Sequence, residues 1–355
     1  MISVYGEING DNIEQQCLLG TISCVTANQS AWLQASTKQL ASVLSFDFCK
    51  PSFFDSHPRH GAYHETKPKA RKDDILACPI CYERVTWNQK HDLSLKYVGQ
   101  STLRCSTCRK LYSRNKEDSH LDLTITTGEN VSGQPLPASI ELFRLPLMSY
   151  IYERGWRQCF SLAGFPGPEK EFEMMKDYLK PVLGGNIIDA SCGSGMFSRL
   201  FARSGLFSVV VALDFSETML KQCADFIKLD NNFPEENLIL VRADISRLPF
   251  ASGTVDAVHA GAALHCWPSP SAAVAEISRV LKPGGLFVGT TYIFDGVPQC
   301  ISLITPLRQN FARLSGMHFY LSEKELEDLC TACGLIDFKC TRNRNFGMIS
   351  AMKPV

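Results

Sequence analysis

The clearest structural signal in this chain is the run Ile187-Ile188-Asp189-Ala190-Ser191-Cys192-Gly193-Ser194-Gly195. An apolar segment that ends in an acid and continues into closely spaced glycines is typical of a buried strand turning tightly into a helix. Gly193 and Gly195 would let the backbone pass close to a ligand. Such a turn also needs glycine for steric reasons, so a purely structural loop is the alternative.

Strand-like and helix-like segments alternate around and after this run. The predicted strands are 186–190, 208–213, 238–242, 255–260 and 286–292, and the predicted helices are 196–204, 216–229 and 271–281. Strands this apolar, separated by helices, predict a parallel sheet that is covered on both faces. We therefore expect a doubly wound α/β domain over residues 181–355.

Two further acids follow the second and third predicted strands. Asp214 lies about twenty residues beyond the loop, where an acid accepts both hydroxyls of a ribose. Asp244 could accept from an adenine amino group while Ile245 packs against the ring. A helix N-cap acid and a surface-loop acid are the respective alternatives. Ser198 replaces the third glycine of a dinucleotide-binding loop, which disfavours hydride transfer.

These features, together with Arg279-Val280-Leu281-Lys282-Pro283-Gly284-Gly285, resemble the class I S-adenosylmethionine-dependent methyltransferases in their ubiquinone-biosynthesis-like branch. The resemblance covers about residues 140–352. It implies a mostly parallel seven-stranded sheet and S-adenosylmethionine as the methyl donor. It assigns cofactor contacts to Asp189, Ser191, Gly193, Gly195, Asp214, Phe215, Asp244, Ile245 and Ala260.

Ser191 departs from the family pattern, in which the first loop position is usually glycine. The turn must therefore be reachable by a residue with a side chain. We expect cofactor binding to be kept, because a serine hydroxyl can satisfy loop amides.

Methyl transfer from a sulfonium requires alignment, exclusion of water and, for some acceptors, a base. His265 follows the small residues after the fourth predicted strand and is our candidate catalytic base. A packed, hydrogen-bonded structural histidine beside Trp267 is an equal alternative. Tyr152, Trp156, Arg157 and Trp267 are candidate walls of the substrate pocket, although apolar spacing around Tyr152 also indicates an ordinary packed helix.

Two Cys-x-x-Cys pairs precede this domain, Cys78–Cys81 and Cys105–Cys108. Four thiolates from two turns, separated by a segment able to form a hairpin, predict a closed structural zinc site in a zinc ribbon over residues 76–126. Paired redox thiols, or two unrelated turns, are the alternatives. Cys330 and Cys333 are predicted to be core residues of a helix that starts with a Ser322 capping box.

Residues 1–75 are predicted to be a leader, and residues 127–180 a connector with capping helices. Few acids and many hydroxyl residues favour a transit peptide, but Glu7, Asp11 and Glu14 do not, so a disordered leader is the alternative. Lys+Arg and Asp+Glu both number 36, so net charge gives no general attraction to nucleic acid or anionic membrane. No apolar run is long enough to predict a transmembrane helix.

A zinc ribbon before such a domain resembles bacterial enzymes that methylate a guanine in ribosomal RNA. A closer resemblance, to uncharacterised plant methyltransferases of chloroplast plastoglobules, is carried by Tyr152-Glu153-Arg154-Gly155-Trp156-Arg157-Gln158, Gly164-Phe165-Pro166-Gly167-Pro168 and Leu264-His265-Cys266-Trp267-Pro268. It implies a chloroplast location, with peripheral association with plastoglobule lipid droplets, and a small or lipid-like acceptor such as a quinone or phenolic lipid. An RNA acceptor and a non-catalytic zinc-ribbon binding protein are the alternatives.

Overall fold

The structure, a computed structural model, describes residues 75–87, 101–114, 120–125, 156–294 and 321–355. The predicted leader, except Ile75, and the candidate pocket residue Tyr152 lie outside the described residues. In the described part of the chain, no helix combines the length and apolarity that a membrane span requires.

The strands and helices take the following bounds. The strands are β1 (Val85–Trp87), β2 (Ser101–Cys105), β3 (Leu111–Arg114), β4 (Leu121–Asp122), β5 (Asn186–Ala190), β6 (Val209–Asp214), β7 (Leu238–Arg242), β8 (Val255–Ala260), β9 (Leu281–Tyr292), β10 (Ile336–Asn343) and β11 (Phe346–Met352). The helices are α1 (Pro168–Leu179), α2 (Met196–Ser204), α3 (Glu217–Lys228), α4 (Pro270–Val280) and α5 (Glu323–Ala332), with 3₁₀ turns at Trp156–Ala163, Lys180–Val182, Glu235–Asn237 and Leu264–Cys266.

The large sheet has the order β10-β11-β9-β8-β5-β6-β7-β4. Strands β4 to β9 pair in parallel, whereas β10 and β11 are antiparallel. This confirms the predicted doubly wound α/β fold. The seven expected strands are β5 to β11, and β4 adds an eighth at the free side of β7.

Both faces of the central strands are buried, which explains why apolar residues predominate in them. Successive residues of β5 point to opposite faces. Ile188 joins one hydrophobic cluster with Val211 and Val241, and Ile187 joins another with Val210.

A glycine- and proline-rich segment separates α1 from the turn that precedes it. A 3₁₀ turn ends at Ala163, and α1 begins at Pro168. Gly164 has φ of 98°, and a Cβ there would lie 2.1 Å from the carbonyl oxygen of Asn343. Glycine is therefore required where this segment touches the β10–β11 hairpin.

Strands β1, β2 and β3 form a separate antiparallel sheet that carries the cysteine pairs. Its core is continuous with that of the large sheet, because Leu76, Leu103 and Tyr112 share a hydrophobic cluster with Val241 and Phe250. Farther along the chain, the capping box of Ser322 and Glu325 is confirmed and Cys330 is buried in the core as predicted, whereas Cys333 is only partly buried at the C-cap of α5.

Candidate functional site

The first turn of the loop after β5 uses a left-handed residue that is not glycine. Ser191 has φ of 58°. Its Oγ accepts a hydrogen bond of 2.9 Å from the indole Nε1 of Trp267. Trp267, a candidate pocket wall, is 3% exposed. Its indole therefore supports the loop, and its predicted contact with a substrate stays a prediction.

The second part of this loop is tied to the acid that ends β6. The amide of Gly193 donates to Asp214 Oδ2 at 2.8 Å, and the amide of Ser216 donates to Oδ1 at 2.8 Å. Gly195 has φ of 78°, and a Cβ there would lie 2.1 Å from Cys223 Sγ. The loop and the acid thus form one hydrogen-bonded unit, with glycine required where α2 packs closely against α3.

Asp189, the single acid of β5, forms a buried pair that the sequence did not predict. Its Oδ1 lies 2.7 Å from His259 Nδ1, and its Oδ2 accepts a hydrogen bond from Ser198 Oγ. The His259 ring packs against Phe197 and Phe201 at centroid distances of 4.8 Å and 5.3 Å. Asp189 and His259 are paired residues of adjacent strands. The sequence does place His259 in a buried strand, β8. It does not reveal which side chain pairs with a buried histidine.

Asp244 lies in a tight turn after β7. The amide of Arg247 donates to its carbonyl at 3.0 Å. Asp244 Oδ1 accepts from the amide and hydroxyl of Ser246 at 2.8 Å and 2.7 Å. Ile245 is buried. The turn therefore fixes the orientation of the carboxylate through Oδ1. Oδ2 takes no part in these two hydrogen bonds.

The two remaining predicted cofactor contacts lie at the same edge of the sheet. Ala260 ends β8 and is fully buried. Phe215 follows β6, and the Arg242 guanidinium lies 5.6 Å from its ring and donates to its carbonyl at 3.1 Å. The structure therefore places the predicted cofactor residues around the carboxyl ends of β5, β6, β7 and β8, where open α/β sheets bind ligands.

His265 lies in the 3₁₀ turn after β8 and is 4% exposed. Its Nδ1 is 3.1 Å from Thr291 Oγ1 on β9. Its ring meets Tyr292 edge to face at 5.0 Å. The neighbouring Thr290 Oγ1 accepts a hydrogen bond from the amide of Ala262 at 2.9 Å. Strand β9 therefore contacts both ends of the segment from Ala262 to His265.

An aromatic cluster continues from His265 and Tyr292. Phe165 lies 4.8 Å from Tyr292 and 4.8 Å from Phe346, and Phe160 lies 5.1 Å from Phe165. Trp156 and Arg157 begin the 3₁₀ turn that carries Phe160, but their side chains lie outside the described part. The edge of the sheet next to His265 is thus lined by aromatic rings.

Burial sets the ionisation of this region. Desolvation raises the pKa of Asp214, and the nearby Asp189 adds to this, while the amides of Ser216 and Gly193 oppose it. Burial also raises the pKa of Cys266 to about 12 and that of Cys192 well above its ordinary value. Both thiols stay protonated at neutral pH, which makes them poor nucleophiles.

The four cysteines of the two pairs converge as the sequence predicts, with all Sγ atoms within 4.8 Å of one another. Cys78 and Cys108 have their Sγ atoms 3.4 Å apart, and Cys81 and Cys105 have theirs 3.3 Å apart. A disulfide bond is only about 2.05 Å long. Amides donate to two of the sulfurs, from Ile80 to Cys78 and from Cys108 to Cys105, each at 3.4 Å. These are free thiols arranged around a common centre.

One of these thiols is readily ionised. Burial disfavours the Cys105 thiolate, but hydrogen bonds from the amide of Cys108 and from the Cys81 thiol outweigh it and lower the pKa of Cys105 to about 7. A metal that prefers thiolates would find a partly ionised ligand at neutral pH.

Comparison with known proteins shows similarity to methyltransferases. A family model described as a methyltransferase domain matches residues 188–289. An uncharacterised chloroplastic methyltransferase of Arabidopsis thaliana is 60% identical over 293 residues, which are 82% of this chain and 82% of that protein. A second one from the same plant is 48% identical over 289 residues, covering 81% of this chain and 80% of its own length.

A more distant relative is the ubiquinone/menaquinone biosynthesis C-methyltransferase of Desulfotalea psychrophila, which is 28% identical over 229 residues, or 53% of this chain and 90% of that protein. The matched domain includes the loop after β5, the acid that ends β6 and the strand β8 that leads to His265. With a relative of 60% identity along most of its length, the chain belongs to the class I S-adenosylmethionine-dependent methyltransferase family.

Proposed function

We propose that this enzyme transfers a methyl group from S-adenosylmethionine to a small, lipid-like acceptor of the chloroplast, such as a quinone or phenolic lipid. The hydrogen bond from the Gly193 amide to Asp214 carries the cofactor assignment, because it joins the glycine loop to the acid that would accept the ribose hydroxyls. The relatives named chloroplastic support the location. Attachment to plastoglobules belongs to the same proposal and is tested by flotation of the protein with lipid droplets.

The chain's own residues orient and enclose the reactants. S-adenosylmethionine supplies an electrophilic methyl group on a sulfonium. Asp214 and Asp244 hold the nucleoside, while Ile245 and Ala260 give the pocket apolar walls. The aromatic cluster of Phe160, Phe165, Tyr292 and Phe346 excludes water beside His265 and favours an apolar or aromatic acceptor.

His265 is the proposed base for an acidic O–H or C–H of the acceptor. In this role Nδ1–H donates to Thr291 Oγ1 and Nε2 takes the proton as the acceptor attacks the methyl carbon. The methyl group would leave sulfur with the bonding electron pair on sulfur, giving the neutral thioether S-adenosylhomocysteine, so no residue of the chain would have to protonate the leaving group.

The four clustered cysteines are proposed to hold one structural zinc ion. Four thiolates leave no open coordination position, so the metal would stabilise the fold and take no part in methyl transfer. The short sulfur–sulfur distances and the amide donors to Cys78 and Cys105 fit this role.

Calorimetric titration with S-adenosylhomocysteine tests the cofactor site, with Asp214→Ala as the variant. We expect micromolar binding by the parent protein and a loss of at least tenfold in the variant. Incubation with labelled S-adenosylmethionine and prenylated quinones, phenolic lipids or ribosomal RNA then distinguishes the acceptors. Arg104 and Arg109 are exposed on the cysteine module, so the RNA arm is included. Absence of cofactor binding by folded, zinc-loaded protein would favour a non-catalytic binding role instead.

A further inference from the structure

The cysteine module is joined to the loop after β7 by backbone hydrogen bonds. The amide of Ala77 donates to the carbonyl of Pro249 at 2.8 Å, and the amide of Ala251 donates to that of Ile75 at 3.0 Å. Leu76 and Phe250 form an antiparallel bridge between these bonds. The chain just before Cys78 and the loop that follows Asp244 therefore form one short ladder.

Arg247 makes a second connection, directly to the first cysteine pair. Its Nε donates to the carbonyl of Pro79 at 2.8 Å, and its Nη2 donates to that of Ile80 at 2.9 Å. Pro79 and Ile80 are the two residues between Cys78 and Cys81. The guanidinium is thus hydrogen-bonded to the backbone whose conformation the cysteine site determines.

The same residue closes the turn that presents Asp244. The Arg247 amide donates to the Asp244 carbonyl at 3.0 Å. Asp244, the proposed contact to adenine, and Arg247, whose side chain is hydrogen-bonded to the cysteine turn, therefore belong to one tight turn.

The other side of the loop is held by hydrogen bonds to α4 in which no residue of the cysteine turn takes part. Glu276 Oε2 accepts from the amide of Leu248 at 2.7 Å, and Arg279 Nη2 donates to the Leu248 carbonyl at 2.9 Å. The Arg279 guanidinium also lies 3.9 Å from the ring of Tyr82. Loss of order in the cysteine turn would therefore free the Asp244–Arg247 side of the loop while α4 still holds Leu248.

We propose that Arg247 is a positioning residue that couples metal occupancy of the four-cysteine site to the affinity of the Asp244 loop for the methyl donor. The inference rests on the proposed cofactor and zinc sites and adds a connection between them. Zinc would fix the carbonyls of Pro79 and Ile80, and Arg247 would transmit that order to the turn of Asp244. Because linkage is reciprocal, bound cofactor must tighten zinc binding by the same factor.

Equilibrium competition with a chromogenic chelator measures this coupling in the full chain. The zinc affinity is determined with and without saturating S-adenosylhomocysteine, and the ratio of the two affinities is the readout. We expect a ratio of about 5 or more for the parent protein, the usual range for coupled sites. Arg247→Gln should bring the ratio close to 1.

The ratio separates positioning from general stabilisation. A merely structural role of Arg247 would weaken zinc binding equally in both conditions and leave the ratio unchanged. Arg247→Lys keeps a charged donor without the bidentate geometry, so its ratio should lie between those of the parent and Arg247→Gln. It also replaces Arg247→Gln in the comparison if circular dichroism shows that the latter does not fold. Arg342→Gln removes an arginine whose ion pair is with Glu323 on α5, and it should keep the parent ratio.

The inference would be overturned if the Arg247 variants gave the same ratio of zinc affinities as the parent protein. It would also be overturned by a ratio of 1 in a parent protein that binds S-adenosylhomocysteine. Failure of the parent to bind S-adenosylhomocysteine at all, seen by calorimetry before the competition, would overturn the proposed cofactor site together with this coupling.

Discussion

Ser191 shows how one side chain is accommodated in a conformation that favours glycine. A left-handed residue with a Cβ costs about 1–2 kcal/mol relative to glycine. The hydrogen bond from Trp267 offsets this cost, because the buried indole N–H would otherwise lack its acceptor. The serine and the tryptophan therefore form one unit within the cofactor loop.

This pairing predicts a non-additive double-mutant cycle. Ser191→Gly alone removes the strain of a left-handed residue with a Cβ, but it also removes the acceptor of the Trp267 indole N–H. Because these two effects oppose each other, the free energy of unfolding should change by less than about 1 kcal/mol. In a Trp267→Phe background the same substitution only relieves the backbone and should stabilise by about 1–2 kcal/mol. Urea denaturation of the four proteins measures both effects. Additivity within about 0.5 kcal/mol would contradict the pairing.

Asp214 predicts a pH dependence of cofactor binding. Ribose hydroxyls donate to the ionised carboxylate, whereas desolvation raises the pKa of this carboxyl in the free protein. Affinity for S-adenosylhomocysteine should therefore be constant above that raised pKa and fall about tenfold per pH unit below it. Calorimetry across the acidic range measures this, and Asp214→Asn should bind weakly without that pH dependence.

The same shift has a defined sign for stability. Because the folded pKa of Asp214 lies above the unfolded one, the contribution of this group to stability is fully present below the unfolded pKa and is lost as pH rises through the folded pKa. Ionised Asp214 thus destabilises the free protein at neutral pH. The thermal stabilisation by bound S-adenosylhomocysteine should be larger at neutral than at acidic pH, and the opposite trend would contradict the assignment.

His265 predicts a selective loss of turnover. His265→Gln should lower kcat by about 10²–10⁴-fold, the usual contribution of a positioned base. The affinity of the variant for S-adenosylhomocysteine should stay within about twofold of that of the parent protein, because the nucleoside is held by Asp214 and Asp244 and not by His265. Thr291→Val removes the acceptor for Nδ1 and should produce a smaller loss. Equal losses of turnover and cofactor affinity in His265→Gln would instead indicate a packing role.

At the scale of elements, sequence predicts the buried strands best. The bounds of β5, β7 and β8 agree with the predicted ones because each is a short, largely apolar segment covered on both faces. The sequence also predicts a strand over residues 121–126, of which the structure forms Leu121–Asp122 as β4, but it does not predict the pairing of β4 with β7. The acids at the strand ends were predictable from position, whereas the pair of Asp189 with His259 depends on which strands are adjacent.

Strand β4 makes a testable contribution through one partly buried ion pair. Asp122 Oδ2 lies 3.0 Å from Arg242 Nη1, with side-chain exposures of 23% and 13%. Asp122→Asn keeps an acceptor for Thr124 but loses the charge, so it should lower the free energy of unfolding by roughly 1–3 kcal/mol. It should also weaken cofactor binding, because Arg242 positions Phe215.

Asp230→Asn is the matched control for β4. It breaks the ion pair with Arg203, in which both side chains are more exposed, at 30% and 49%. We expect a change below about 1 kcal/mol for such a surface pair. Chemical denaturation compares the two variants, and equal losses would show that β4 is held by its backbone pairing alone.

At the scale of the whole molecule, the cysteine module and the catalytic sheet belong to one compact unit, Thr66–Val355. Leu103 and Tyr112 of the module share a hydrophobic cluster with Val241 and Phe250 of the large sheet. A core that crosses from one sheet to the other favours unfolding in a single cooperative step. Metal binding at the cysteines should then stabilise the catalytic domain as well.

Removal of one cysteine ligand tests this cooperativity. Cys108 is exposed and joins the cysteine cluster, whereas the partly buried Cys333, at the C-cap of α5, does not. Calorimetry should show one transition in the parent protein. In Cys108→Ser this whole transition should fall by roughly 5–10 °C, the shift expected for a loss of about 3 kcal/mol in a unit of this size. Cys333→Ser should keep both the zinc and the single transition. Two transitions, with the larger one insensitive to Cys108→Ser, would show that the module folds separately and that the shared core does not couple the two sheets.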